Sequence, residues 1–218
     1  MVEEKQYLEM PDSQRSDPAP DLVPDQDWWA LTRKSGILLT KNLILRKLQP
    51  TDAKPIAKLA NNKKVSSMTS RLPHPYTLEH AEEFIARAGS AESHGCAYAV
   101  TLAKTADFIG CCSLSPTERE IGPALGYWLG EPFWGNGYAT EAAHALVDLA
   151  FKTTNHDRVN ASCRVINPAS RKVLEKCGFQ HSESGMSNSL SLGSSIPVDF
   201  YVLDRSTWIS LKSWGENQ

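Results

Sequence analysis

The chain has 218 residues, 41% of them hydrophobic and 22% charged, with a formal net charge of −2. That balance suits one soluble globular domain with a substantial core, and it leaves no basic footprint for nucleic acid. No apolar run approaches the roughly 20 residues of a membrane span, and the first residues lack a hydrophobic signal region. The five cysteines show no Cys-x-x-Cys spacing and suggest neither disulfides nor zinc, so a cytoplasmic protein with reduced thiols and no metal is expected.

Residues 1–35 set Pro11, Pro18, Pro20 and Pro24 among Asp, Ser and Gln with little periodicity, a composition that cannot bury enough apolar surface to order itself. A flexible acidic, proline-rich arm is expected there, with Trp28-Trp29 and Leu31 able to pin it onto a domain at 36–210. Residues 211–218 read as a tail. Residues 43–48 predict a strand, and Thr51 or Asp52 can cap a helix over 53–60. Pro73 and Pro75 predict an extended segment, after which Thr77 caps a second helix with Ala81, Phe84, Ile85 and Ala88 on one face. Strands are expected over 96–102 and 108–114, joined by a turn at 103–107, with a central strand near 125–129. From Ala139 onward, Ala142, Ala143, Leu146, Val147, Ala150 and Phe151 recur at helical spacing. Residues 159–165 alternate as a half-buried strand should. A helix over 168–176 and two closing strands, 180–186 and 197–203, complete the domain. The Ser- and Gly-rich stretch 190–195 between them reads as a mobile loop.

The main helix is preceded by Gly135 and Gly137, where the first N–H groups of a helix have no internal partner. Glycines leave those donors uncovered, and the helix dipole favours negative charge there, so the turn is a candidate phosphate cradle. A P-loop would need Gly-Lys-Ser/Thr, and Asn136-Gly137-Tyr138 offers no lysine. A dinucleotide fold would need a third glycine where Thr140 stands and an acidic residue after the next strand, which ends near Val165-Ile166-Asn167.

Trp134-Gly135-Asn136-Gly137-Tyr138-Ala139 instead resembles the Gln/Arg-x-x-Gly-x-Gly/Ala turn of the GNAT N-acetyltransferases, with Trp134 in place of the first residue. The run from Phe133 to Ala142 looks like the RimJ/RimL branch, the ribosomal-protein N-terminal acetyltransferases and their relatives. A second segment, Asn167-Pro168-Ala169-Ser170 through Leu174, Lys176, Gly178 and Phe179, is similar to that family's Asn-x-x-Ser motif and lies about 30 residues after the turn. The element order agrees as well, and the resemblance covers about residues 37–205. It implies an α/β fold of three α-β-α layers, whose mixed, mostly antiparallel sheet splays into a CoA-binding cleft.

The resemblance further implies acetyl transfer from acetyl-CoA to a primary amine by direct attack. The main chain of Trp134, Gly135, Asn136, Gly137, Tyr138, Ala139 and Thr140 would hold the pyrophosphate. Tyr127, Trp128 and Leu129 would pair with the pantetheine arm, and Asn167 and Ser170 would complete the cofactor site. Most of the family carries a Tyr seven residues after the Asn to serve the departing thiolate, and Leu174 stands there. Ser170 is then the expected acid, as in the Rim-type branch. The family's usual base positions fall on Pro123 and near Ser189, which leaves Glu131, with Glu120 and His74 behind it, as the candidate base. The expected acceptor is a peptide N-terminal amine. A small-molecule amine, or a regulatory module that binds CoA without turnover, are the alternatives. Neither nucleic acid nor membrane is an expected partner, and monomer and homodimer both remain open.

Overall fold

The computed structural model describes residues 36–90, 95–116 and 122–215. The arm at 1–35 with its Trp28-Trp29 pair, and Glu120, lie outside these residues.

Strands β1 (Ile37–Leu39), β2 (Leu43–Lys47), β3 (Cys96–Leu102), β4 (Phe108–Pro116) and β5 (Pro123–Leu129) form a consecutive antiparallel half-sheet. The other half is β6 (Arg158–Arg164), β8 (Ser194–Asp204) and β7 (Gln180–Ser189), in that spatial order. The halves join through one parallel pair, β5 with β6. Helices α1 (Ala53–Ala60), α2 (Lys63–Ser66) and α3 (Leu78–Gly89) precede β3, α4 (Tyr138–Thr153) and α5 (Pro168–Lys176) flank β6, and α6 (Arg205–Gly215) follows β8.

Strand alternation separates two cores. Tyr98, Val100, Ile109, Leu114 and Leu125 pack with Leu146, Val147 and Phe151 of α4. On the opposite face Ala99, Phe108 and Cys111 pack with Ile56 and Ala60 of α1, Tyr76, and Ala81 of α3. Each fully buried Leu or Ile contributes about 1.5–3 kcal/mol, so the sheet is held from both sides and the layer order is α-β-α. The splayed three-layer architecture expected from the motifs is the one observed.

The capping expectations are met by specific bonds. Thr77 Oγ1 accepts from the His80 N–H, and Asn167 Oδ1 accepts from the Ser170 N–H at 3.1 Å. Pro168 takes the first position of α5, and Gly178 follows its end at φ +88°, the left-handed value that favours glycine. Asp52 precedes α1 but makes no side-chain cap bond to it. Its carboxylate is instead gripped by both terminal nitrogens of Arg46 at 2.8 Å.

Two segments differ from expectation. The closing strands run to Ser189 and resume at Ser194, so the expected loop at 190–195 shrinks to a four-residue turn with Gly193 at φ +59°. That turn is docked, since the Leu190 N–H donates to Ser70 O at 2.9 Å and Ser191 Oγ to Ser66 O at 3.0 Å. The chain after β8 continues as α6 across position 211, where a tail was expected to begin. Trp208 packs on Phe151, and Trp208 Nε1 and Lys212 Nζ both donate to Asp148. Tertiary contact with α4 thus supports a helix whose own sequence is rich in serine and weakly periodic.

Candidate active site

The sheet opens where β5 leaves β6. Their pairing is confined to Ala124 with Asn160 and Leu125 with Ala161, whereas β4 accompanies β5 as far as Leu129. Beyond Leu125, β6 turns away with β8 as its partner. The Gly130 N–H donates to Ile109 O of β4 at 2.9 Å, which fixes the alternation of β5. Within a strand a residue's N–H and C=O point to one side and its neighbours' to the other. Gly130 and Trp128 therefore direct their main-chain groups to β4, and Leu129 and Tyr127 direct theirs into the opening. Of the three residues expected to pair with pantetheine, Tyr127 has the open edge, Leu129 directs its main chain there with its carbonyl already bonded by the Trp134 indole, and Trp128 is committed to the sheet.

Just past β5 the chain makes a 3-10 turn, Glu131–Phe133, and Trp134 bends back over it. The Trp134 indole donates to Leu129 O at 2.8 Å, so the residue that departs from the motif stitches the turn to the strand end. Asn136 Nδ2 bonds the carbonyls of Phe133 and Trp134 at 3.2 and 3.0 Å. Gly135 and Gly137 have φ of +79° and +80°, and a Cβ at either would meet nothing within 4 Å. The backbone conformation, not crowding, requires glycine at both. Gly137 is the N-cap of α4 and has no side chain to offer, so Tyr138, Ala139 and Thr140 present N–H groups that no cap covers. One turn further on, Glu141 accepts from Thr40 Oγ1, the Asn42 N–H and Asn42 Nδ2, anchoring this end of α4 to the β1–β2 connection. Burial raises the Glu141 carboxyl, but these bonds together outweigh it and the net shift is downward.

On the other wall of the opening stands the first turn of α5. Ser170 is half-buried, and its Oγ lies 2.8 Å from the phenol oxygen of Tyr127, which is also 3.2 Å from Ser170 O. Tyr127 shares strand parity with the buried Leu125 and Leu129, which carries its ring to the α4/α5 face. Burial pushes its phenol well up, against the smaller opposing effect of the Ser170 bond. Parity alone would have placed Tyr127 on that face, but the meeting with Ser170 depends on how α5 packs.

Glu131 lies elsewhere. It is four residues beyond Tyr127, about 13 Å at a strand's rise, and is bound to Lys64 and Asn62. Lys64, then Asn62, hold its carboxyl below the usual range. Among the described residues no cluster of three His, Cys, Asp or Glu could hold a metal ion, and no helix is long and apolar enough to cross a membrane.

An acetyltransferase (GNAT) domain model matches residues 42–180. The chain belongs to the GNAT family. Its enzyme class is therefore acetyl-CoA-dependent N-acetyltransferase, with acetyl-CoA as co-substrate. The N-acetyltransferase p20 of Bacillus licheniformis is 30% identical over 146 residues, spanning 66% of this chain and 82% of that one. Among solved GNAT-fold structures, Mycobacterium smegmatis RimJ in complex with CoA-disulfide superposes with a TM-score of 0.69 at 17% identity, covering 82% of this chain and 94% of RimJ. The microcin C7 self-immunity acetyltransferase MccE, in complex with acetyl-CoA and AMP, gives 0.67 at 19% identity over 80% of this chain and 99% of MccE. These likenesses show the fold alone, over about four fifths of the chain. They also meet the expected RimJ/RimL likeness at the level of the fold.

Proposed function

We propose that this GNAT domain acetylates the α-amine of a peptide or protein N-terminus by direct attack in a ternary complex. The observation that carries the reading is the open β5 edge at Tyr127 and Leu129, lying between the uncapped N-terminus of α4 and the Ser170 hydroxyl. In this reading the N–H groups from Trp134 to Thr140 hold the pyrophosphate. The pantetheine amides pair with Tyr127 and Leu129, and Asn167 orders the turn that sets Ser170 beside the thioester.

Acceptor class follows from proton chemistry. Direct attack needs a neutral amine, and Glu131, the expected base, is committed to Lys64 and Asn62. In this reading, with Glu131 so committed, the acceptor's own neutral fraction sets the rate. An α-amine of pKa about 7.8 is roughly a quarter neutral at pH 7.4, whereas a lysine-like amine of pKa about 10.4 is neutral about one part in a thousand. That gap supports an α-amine over a lysine or polyamine. The buried thiols support the cytoplasmic setting in which such an acceptor meets acetyl-CoA.

Thiol release from acetyl-CoA across Ala- and Ser-starting peptides, free amino acids and polyamines tests this. Turnover on the peptides and none on polyamines is expected. Turnover confined to small amines would transfer the assignment to a small-molecule acetyltransferase. CoA binding without turnover on any amine would make the protein a binding module.

A further inference from the structure

Tyr127 enters this site twice. Its main chain lies on the open edge of β5, and its ring crosses to the α4/α5 face to meet Ser170. A phenol and a serine hydroxyl have one hydrogen each, so the contacts at 2.8 Å to Oγ and 3.2 Å to the Ser170 carbonyl allow two arrangements. In one, the phenol donates to Ser170 Oγ and the serine hydrogen is free to point into the cleft. In the other, the phenol donates to the carbonyl and the serine hydrogen is spent on the phenol. The 2.8 Å contact is a hydrogen bond in both arrangements, which differ in which oxygen donates, and only the first leaves the serine hydrogen free for the cleft. Burial keeps the phenol protonated, and hence a donor, at neutral pH.

We propose that Tyr127 is a positioning residue for acetyl transfer, whose phenol donates to Ser170 Oγ and so turns the serine hydrogen towards the thioester sulfur. The proposal rests on the reading that Ser170 faces that sulfur. It assigns to a β5 side chain part of the work expected of the α5 position that Leu174 occupies.

The step balances with no proton leaving Tyr127. The acceptor nitrogen's lone pair forms the N–C bond, the C–S bond breaks, and its electron pair goes to sulfur. The thiolate accepts a hydrogen bond from Ser170 Oγ–H. A thiol titrates near 8.5 and a phenol near 10, higher when buried, so moving a proton from this pair to sulfur runs uphill. The proton shed by the nitrogen passes to water, and the thiolate is protonated from water after release. Ser170 thus acts as a hydrogen-bond donor rather than the general acid expected from the motif.

The test compares Tyr127→Phe, which keeps the ring and removes one oxygen, with Ser170→Ala and the double variant. Turnover, KM for acetyl-CoA and for peptide, pH profile and melting temperature are read on each. Tyr127→Phe should lower kcat about fivefold, the kinetic size of one hydrogen bond, with KM for acetyl-CoA unchanged. Ser170→Ala should cost about tenfold or more, and the double variant should be no slower than Ser170→Ala. No alkaline fall in kcat should appear between pH 7 and about 9.5. Tyr127→Phe at or above wild-type turnover, beside an impaired Ser170→Ala, would establish the second arrangement and overturn the proposal while sparing the role of Ser170. Multiplicative losses in the double variant would mean that the phenol acts on packing instead. Wild-type turnover in Ser170→Ala would remove the underlying reading of Ser170 itself.

Discussion

Glu131 forms an ion pair with Lys64, and through it the first residues after β5 are tied to the start of α2. Asn62, the N-cap of α2, donates to the other carboxylate oxygen at 2.7 Å. Both partners favour the charged form, with Lys64 the larger influence, so the carboxyl is a weaker base than an ordinary glutamate. Glu131→Gln should therefore leave the basic rise of the kcat/KM profile in place and alter turnover only a few-fold. Loss of that rise would restore Glu131 as the base. The same shift sets a sign for stability. The contribution of Glu131 is present above the unfolded glutamate value and fades as pH falls through the lower folded one, and exposure keeps it small.

The cradle makes a different demand. Gly137→Asp forces a left-handed φ on a residue with a Cβ, at about 1–2 kcal/mol, and sets a carboxylate beside uncapped N–H groups. It should abolish CoA binding by calorimetry while the fold persists. Gly137→Asn isolates the carboxylate, since asparagine and aspartate adopt that φ alike and asparagine carries no charge. It should keep measurable affinity. Asn136→Ala removes bonds to two exposed-turn carbonyls and should change affinity little. Wild-type CoA affinity in Gly137→Asp would sink the cradle assignment.

Much of this site is legible in the chain because its parts are local. Asn167, Pro168 and Gly178 delimit α5 by capping chemistry that acts within a few residues, and Gly135 and Gly137 announce a backbone that L-residues avoid. What the chain does not disclose depends on packing across distance. Tyr127 and Ser170 are 43 residues apart, and no spacing rule brings them to 2.8 Å. The loss of the Glu131 carboxylate to Lys64 is equally non-local, as is the docking of the 190–193 turn on residues 66–70. The helix α6 is hidden for the same reason, since Asp148 and Phe151 of α4 hold it.

Arg46 and Asp52 make the most enclosed ion pair among the described residues, with Asp52 only 3% exposed. The Arg46 guanidinium also bonds Lys47 O, and the Gln49 N–H donates to the same carboxylate. Removing one partner strands a buried charge, so Arg46→Met should lower unfolding free energy by about 3 kcal/mol in urea titration. Asp52→Asn, which removes the charge and keeps an acceptor oxygen, should cost less. Equal losses would show that fork geometry matters more than the stranded charge.

Asp199 offers a pH test. Its carboxylate accepts from Ser184 Oγ at 2.7 Å, is paired with Arg171 at 2.8 Å and lies 3.7 Å from His181. The Ser184 bond first, then the cationic neighbours, hold its carboxyl below the ordinary aspartate value against the cost of burial. A depressed folded value means stability that is present above the unfolded value, about 3.9, and is lost as pH falls through the folded one. Asp199→Asn should thus melt earlier than wild type at pH 7, with the gap closing as pH falls through the lowered folded value. A gap that persists in strong acid would assign the loss to packing.

The docked turn bears on the acceptor. Leu190 and Ser191 bond Ser70 and Ser66, and Arg164 of β6 donates from Nη1 to Ser67 O at 2.6 Å. Together they tie the β7–β8 turn and the strand beside the opening to the segment after α2. The segments around 61–80 and 184–196 are thus one braced rim rather than two independent loops, and loops of this kind carry specificity in shared folds. If that rim meets the acceptor, loosening it should weaken acceptor binding before chemistry. Ser191→Ala should raise the peptide KM about fivefold and leave the acetyl-CoA KM untouched, since Ser191 bonds Ser66 and Ser189 and not the 134–140 turn. Arg164→Lys keeps the charge but loses the planar fork and should act in the same direction. If both variants keep the peptide KM while melting earlier, the rim contributes stability alone. Acceptor choice would then rest elsewhere around the opening.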